Sequence, residues 1–144
     1  MLARCSVDTI YERFHTPYSV VPGWMPDLMV GVDASEGEAF VALAGEDIVG
    51  HAMYVARDER EAEIAVLVED AWQSNGVGGR LLSGAAEHAR LRGFEAFVCE
   101  TLTENPRVPG LSTAVFSEVE RRVEGATSQI RVPLRSLKTG RRAR

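Results

Sequence analysis

Between Glu63 and Leu82 the chain reads EIAVLVEDAWQSNGVGGRLL. An apolar run closes in two acids, a short polar stretch follows, and Gly76, Gly78 and Gly79 crowd together just before a new periodicity begins. A short apolar run bounded by turn residues reads as a buried strand, residues 62–68. Beyond the glycines, Val77, Leu81, Leu82, Ala85 and Ala89 recur at helical spacing. Arg80, Ser83, Glu87 and Arg90 take the opposite face, predicting a helix over Val77–Leu91 that Gly93 caps. The next apolar stretch, 94–101, is then a strand parallel to the first, because a helix crosses between them.

The rest of the chain is arranged around this unit. Before it, CSVDTIYERFHTPYS predicts a short helix with Val7, Ile10, Tyr11 and Phe14 on one face, ended by Pro17. GWMPDLMVGVD predicts a second helix after Pro26, with Leu28, Met29 and Val32 available for burial. Residues 39–44 and 48–55 read as strands joined by a turn at Gly45-Glu46-Asp47. After it, ENPRVPGLSTAVF holds a helical place in the order, yet Pro106, Pro109 and Gly110 predict a broken helix. SEVERRV and SQIRVPL read as a closing antiparallel pair. The expectation is one α/β domain over residues 1–136, three layers with a mixed sheet, followed by a basic, disordered tail at 137–144.

A helix N-terminus presents unpaired N–H groups and the positive end of the helix dipole. Glycines there allow positive φ and let a phosphate approach the backbone. The turn is consistent with a pyrophosphate cradle and also with a tight strand-to-helix connection. It is neither a G-x-G-x-x-G dinucleotide turn, because Leu81 stands where a small residue belongs, nor a G-x-x-x-x-G-K-S/T loop, because no lysine is present.

What is present is Gln73-x-x-Gly76-x-Gly78. This resembles the acyl-CoA-binding motif Q/R-x-x-G-x-G/A of the GNAT superfamily of N-acyltransferases, in the family's place between a strand and a long helix. The similarity extends from AVLVEDAWQ before the motif to Glu104-Asn105 after the next strand, over roughly residues 39–105. Tyr11 to Pro17, YERFHTP, resembles the first-helix Y-x-R-F-F of bacterial protein-lysine acetyltransferases; the same trio also reads as helix packing and a surface charge. The resemblance implies a mostly antiparallel sheet flanked by helices, with acetyl-CoA as acyl donor. The backbone of Val66, Leu67 and Val68 would pair with the pantetheine arm, one N–H polarising the thioester carbonyl. Gln73 and the backbone of Ser74, Asn75, Gly76, Val77, Gly78 and Gly79 would hold the pyrophosphate. Asn105 matches a CoA-contacting asparagine and equally suits a helix cap before Pro106.

Attack by an amine on a thioester needs the amine neutral, hence a base. Glu63, at the head of an apolar strand, resembles the glutamate of lysine acetyltransferases. Half-burial among valines would suit it to work near neutral pH. Glu100, five residues before Asn105, resembles the catalytic glutamate of the ribosomal-protein branch. Either also reads as a solvated strand residue. His15, His51 and His88 lack metal-site spacing and read as structural or surface residues, and Cys99 as a small core residue; no metal is expected.

Two departures from the family stand out. Only MLARC precedes the first helix, so the family's first strand is missing and strand 39–44 is left with an open edge. Ser112 falls near the position of a tyrosine that protonates the leaving thiolate. The chain is therefore expected to be an acetyl-CoA-dependent N-acetyltransferase acting on a protein lysine or small amine. The alternative is a degenerate domain that binds acyl-CoA as a regulatory subunit. The open edge predicts a homodimer.

Charge narrows the partners. Of 16 basic residues six lie in 131–144, leaving ten against 21 acidic groups in residues 1–130. So acidic a body repels phosphate backbones, and no nucleic acid is expected. No apolar run approaches the ~20 residues of a membrane span. MLARCSVDTI lacks a secretion signal, and two cysteines fit a reducing cytoplasm.

Overall fold

A computed structural model describes residues 1–16 and 18–139 of the chain. Its elements are α1 (Val7–Phe14), α2 (Trp24–Val30), β1 (Gly37–Ala44), β2 (Asp47–Ala56), β3 (Glu61–Val68), α3 (Val77–Leu91), β4 (Ala96–Leu102), α4 (Arg107–Val115), β5 (Glu120–Glu124) and β6 (Thr127–Pro133). One six-stranded sheet runs in the order β1-β2-β3-β4-β6-β5, with only the β3–β4 pair parallel. This is the mixed, mostly antiparallel sheet expected, and β1 is its edge as the missing first strand implies.

The helices divide between the two faces. Alternation along β3 sends Ala62, Ile64 and Val66 to the main core, where Leu82, Ala85, Ala86 and Ala89 of α3 meet Phe97, Phe116 and Ile130. Leu67 goes to the other face, into a smaller cluster with Ile10 of α1 and Met25 and Met29 of α2. The period of two along a strand makes this division automatic.

α1 starts at Ser6, whose Oγ accepts the Thr9 N–H at 3.2 Å. It stops at His15, a left-handed residue at φ 56° whose N–H bonds Tyr11 O; the expected stop at Pro17 lies outside the described residues. α2 begins at Trp24, ahead of the expected start after Pro26, so that Met25 is part of its buried stripe. Met25 and Met29 are buried and Leu28 is 51% exposed. α3 matches its predicted bounds, and Gly93, at φ +94°, ends it.

Two expectations are corrected. α4 is continuous, not broken: Pro109 is its third residue, in the first turn, where an N–H has no intrahelical partner to lose. Gly110 N–H already bonds Pro106 O at 3.1 Å. Of the stretch expected as tail, Leu137 and Lys138 are tied to the domain. Leu137 bridges to Phe116, and Lys138 N–H bonds Val115 O at 2.9 Å. Residues 140–144 lie outside the described residues.

Candidate active site

The parallel ladder between β3 and β4 is three pairs long, Glu61 with Ala96, Ala62 with Phe97 and Glu63 with Val98. Beyond it β3 stays with β2 as far as Val68, while β4 stays with β6 as far as Leu102. The two strands diverge, and a cleft of 680 Å³ opens between them. Along residues 64–68 the edge of β3 facing β4 has no strand partner among the described residues, so the backbone groups on it, other than Val68 O, are available to an extended ligand.

The glycine turn stands at one end of this cleft. Gly76 is left-handed at φ +80°, and Ser74 before it at φ 61°. α3 then begins with no side-chain cap and no acid in its first turn. The first intrahelical bond is Arg80 N–H to Gly76 O, 3.1 Å, so the N–H groups ahead of it remain free. Gly78 is helical, and a Cβ there would lie 3.6 Å from Leu111 and 3.7 Å from Val68, ordinary contacts. Packing does not demand a glycine at 78, and the residue lines the cleft beside Leu111 and Val68. An uncapped N-terminus and an unpaired strand edge fit the pyrophosphate and pantetheine of an acyl-CoA.

Glu63, Val66, Leu67, Val68, Gln73, Ser74, Gly76, Gly78, Gly79, Glu100 and Asn105 all line this one cleft. The side chains of Asn75 and Val77 do not. Asn75 Nδ2 turns back to Gln73 O at 2.9 Å, and Val77 packs toward Gly50. Gln73 acts through its amide: Nε2 donates to Val68 O at 3.0 Å and to Thr9 Oγ1 at 3.1 Å, tying the end of β3 to α1. Asn105 is buried, and its Oδ1 accepts the Arg107 N–H at 2.9 Å, capping α4.

Glu63 and Glu100 share one face of the sheet, since Glu63 pairs with Val98 and Glu100 is two residues on. Both are exposed, so the expected half-burial of Glu63 among valines is not met. Neither takes part in an ion pair among the described residues. Both also line a second groove of 550 Å³ on that face, where Arg131 is occupied by Glu61 at 2.6 Å and Glu120 at 3.4 Å. Cys99 lies at the junction of the two cavities. Burial, with Glu63's charge adding, pushes its thiol up to about 12, which keeps it protonated.

Several cleft residues escaped the sequence reading. Glu12 of α1 pairs with Arg107 of α4 at 3.1 Å, and Leu111 walls the cleft from α4. Thr101 Oγ1 is buried, without a hydrogen-bond partner among the described residues, in a residue that lines the cleft. Arg13 also lines it, and its Nε is buried and unpartnered among the described residues. Such an orphaned donor costs about 1–3 kcal/mol. Burial lowers the Arg13 pKa, and the nearby Glu63 carboxylate partly restores it. A signal existed: Arg13 is three residues after Ile10 and next to Phe14, so it interrupts the buried stripe of α1. Ser112, also in the cleft wall, donates its hydroxyl to Val108 O at 2.8 Å. The other histidines are structural: His51 bonds Met29 O at 2.6 Å and His88 bonds the Tyr54 hydroxyl at 2.7 Å.

The fold has close parallels among solved proteins. The GNAT domain of PAT from S. lividans superposes with a TM-score of 0.80, at 23% identity over 90% of this chain and 79% of that one. A PaiA N-acetyltransferase from Thermoplasma acidophilum, solved in complex with coenzyme A, gives 0.61 at 12% identity over 68% of this chain and 61% of its own. A ribosomal-protein-alanine N-acetyltransferase from Brucella melitensis gives 0.56 at 18% identity over 67% of each chain. These likenesses show the fold. The family model for acetyltransferase (GNAT) proteins matches residues 7–111, most of the chain and all of the cleft-forming elements through the first half of α4. The chain belongs to the acetyltransferase (GNAT) family.

Proposed function

We propose that the protein is an N-acetyltransferase that moves an acetyl group from acetyl-CoA to a primary amine by direct attack. The observation that carries this reading is the pair of cavities meeting at Glu63, Cys99 and Glu100. One cavity begins at the uncapped start of α3 and runs along the free edge of β3. The other opens on the opposite side, lined by two carboxylates outside any ion pair among the described residues. A donor in the first and an amine at the junction beside Glu63 would meet with no covalent enzyme intermediate, and Cys99, held as a thiol, is unsuited to form one.

Acetyl-CoA supplies an activated carbonyl: the amine nitrogen bonds to it, the carbon–sulfur bond breaks, and CoA departs as thiolate. The chain supplies the rest. The glycine turn and the N-terminus of α3 hold the pyrophosphate. The N–H groups along residues 64–68 hold the arm extended and offer a donor to the carbonyl oxygen as charge develops there. Glu63 takes the amine proton, with Glu100 the second candidate. An acid for the leaving group is dispensable, since a thiol of pKa near ~8.5 leaves readily as thiolate. The Ser112 hydroxyl, committed to its own helix, need not act. The alternative of a degenerate, CoA-binding subunit rests on Ser112 in the tyrosine's place and on a broken α4; the continuous helix takes away the second of these supports.

The test is CoA release with acetyl-CoA and a panel of amines. Glu63→Gln should keep CoA affinity and lower turnover by ~10²–10⁴-fold, the usual worth of a general base. The loss should shrink at high pH, where amines lose the proton unaided. Full activity in Glu63→Gln with loss in Glu100→Gln would reverse the assignment. CoA binding without turnover on any amine would favour the regulatory reading.

A further inference from the structure

The transfer step leaves one charged group in the cleft unused. Arg13 reaches the cleft wall from α1, its guanidinium 4.6 Å from the centroid of the Phe14 ring. Its Nε is shut off from solvent without an acceptor, and among the described residues no carboxylate lies within 4.0 Å of it. Its neighbours are treated differently. Glu12, the preceding residue, is matched with Arg107, and Arg131 in the adjoining groove has two carboxylates. A planar fork of donors, preset by aromatic contact and in no ion pair among the described residues, is complementary to a carboxylate.

The position of Arg13 says whose carboxylate. α1 packs on β3 from the face that carries Glu63, whereas α3 and its glycine turn pack on the other. Arg13 is thus across the sheet from the phosphate end of the cleft and beside the candidate base. Arg13 and Glu63 put opposite charges side by side in one wall. An amine bearing a carboxylate on the adjacent carbon matches that order. A lysine side chain offered by a protein brings the amine alone and leaves Arg13 as orphaned as before.

We propose that Arg13 is a specificity-determining residue that binds the carboxylate of the acceptor, and that the acceptor is a small free amino acid or a close analogue. This rests on the acyl-transfer reading above and narrows its acceptor class. The transfer itself is unchanged: the amino nitrogen gains the acetyl group, its proton passes to Glu63, and the carboxylate is not altered.

The test compares matched acceptors that differ only in that group, such as glycine with glycinamide and leucine with leucinamide, alongside a lysine peptide. CoA release gives kcat and KM, and calorimetric titration in the presence of CoA gives acceptor affinity. The free acids should be preferred over the amides by ~30-fold or more in kcat/KM, as expected for a desolvated charge pair. Arg13→Gln should erase that preference through KM, so that acids and amides are used at equal kcat/KM within the variant, while CoA affinity is kept. Arg13→Lys, which keeps the charge but not the fork, should retain part of it. Equal use of acids and amides by the unaltered protein, preference for the lysine peptide, or loss of CoA affinity in Arg13→Gln would each overturn the proposal. If no amine is acetylated, titration still decides. Tighter binding of acids than amides, dependent on Arg13, upholds the carboxylate site while the transfer reading falls. Binding without discrimination overturns the site.

Discussion

Replacing Gly78 with aspartate should stabilise the ligand-free protein and at the same time abolish its stabilisation by coenzyme A. The first half follows from the backbone and the neighbours. Gly78 has helical geometry, and a Cβ meets Leu111 and Val68 only at 3.6 and 3.7 Å, so nothing need move. Exchanging glycine for aspartate in a helix gains a few tenths of a kcal/mol in propensity. A carboxylate in a first turn that now holds no acid adds about 0.3–1 kcal/mol against the helix dipole. Together these amount to roughly 0.5–1.5 kcal/mol, or an increase in Tm of about 1–6 °C at 2–4 °C per kcal/mol. The second half follows from charge, because the same carboxylate would occupy the space a pyrophosphate needs. For the unaltered protein, CoA at ~100 times its Kd adds about 2.7 kcal/mol, a rise of roughly 5–11 °C. The assay is thermal unfolding with and without CoA, with circular dichroism to establish the fold. A folded Gly78→Asp protein whose CoA shift is undiminished would refute the placement of the phosphate. Gly78→Ala, with a methyl and no charge, should raise the ligand-free Tm and weaken the shift without eliminating it.

Other expectations concern parts of the molecule away from the turn. His51 donates Nε2–H to Met29 O, and burial, aided by the Arg13 charge, holds its pKa below the ordinary value. The unfolded chain takes up that proton near pH ~6.5. Stability is therefore full above this pH and falls as pH drops through the folded value; urea unfolding at pH 5 and 7.5 should show a smaller difference in His51→Gln. Asn105→Ala removes the cap on the Arg107 N–H and should cost about 0.5–2 kcal/mol by the same method; an unchanged midpoint would mean the cap is redundant. Val41 and Leu43 of the edge strand are exposed, Leu43 by 63%, and no strand among the described residues pairs outside β1. A homodimer is expected in sedimentation equilibrium, dissociated by Leu43→Lys; a monomer at all concentrations would mean the edge needs no partner.

How much of this could be read in advance depended on whether the signal was local. α3 and its glycine turn were legible because periodicity, a helix stop and a break in the apolar run all fall within a few residues of one another. The three-pair ladder that opens the cleft was not, since splaying depends on β6 pairing with β4, a contact distant along the chain. α4 was misread because a proline's effect depends on its distance from the helix start, and Asn105 sets that start through a side-chain bond. The start of α2 is not marked locally, since Pro26 stands within its first turn, and Met25 rather than Leu28 is buried. Glu63 and Glu100 were found by residue type. Arg13 reads as a surface charge in the sequence, since its place in the cleft wall depends on α1 packing against β3.

The short ladder between β3 and β4 has a mechanical consequence. The sheet is two halves, β1-β2-β3 and β4-β6-β5, joined along three residue pairs and by the helix that crosses between them. Such a joint resists shear along the strands better than it resists prising apart at the open end. An extended ligand arm bonded along residues 64–68 would act as a rivet, and the free joint would open more often than either half unfolds. Backbone exchange and protease cutting should therefore concentrate at residues 64–68 and 99–102 without ligand and fall together when the arm is bound. In a cell the supply of acyl donor would then set how long each molecule survives as well as how fast it works.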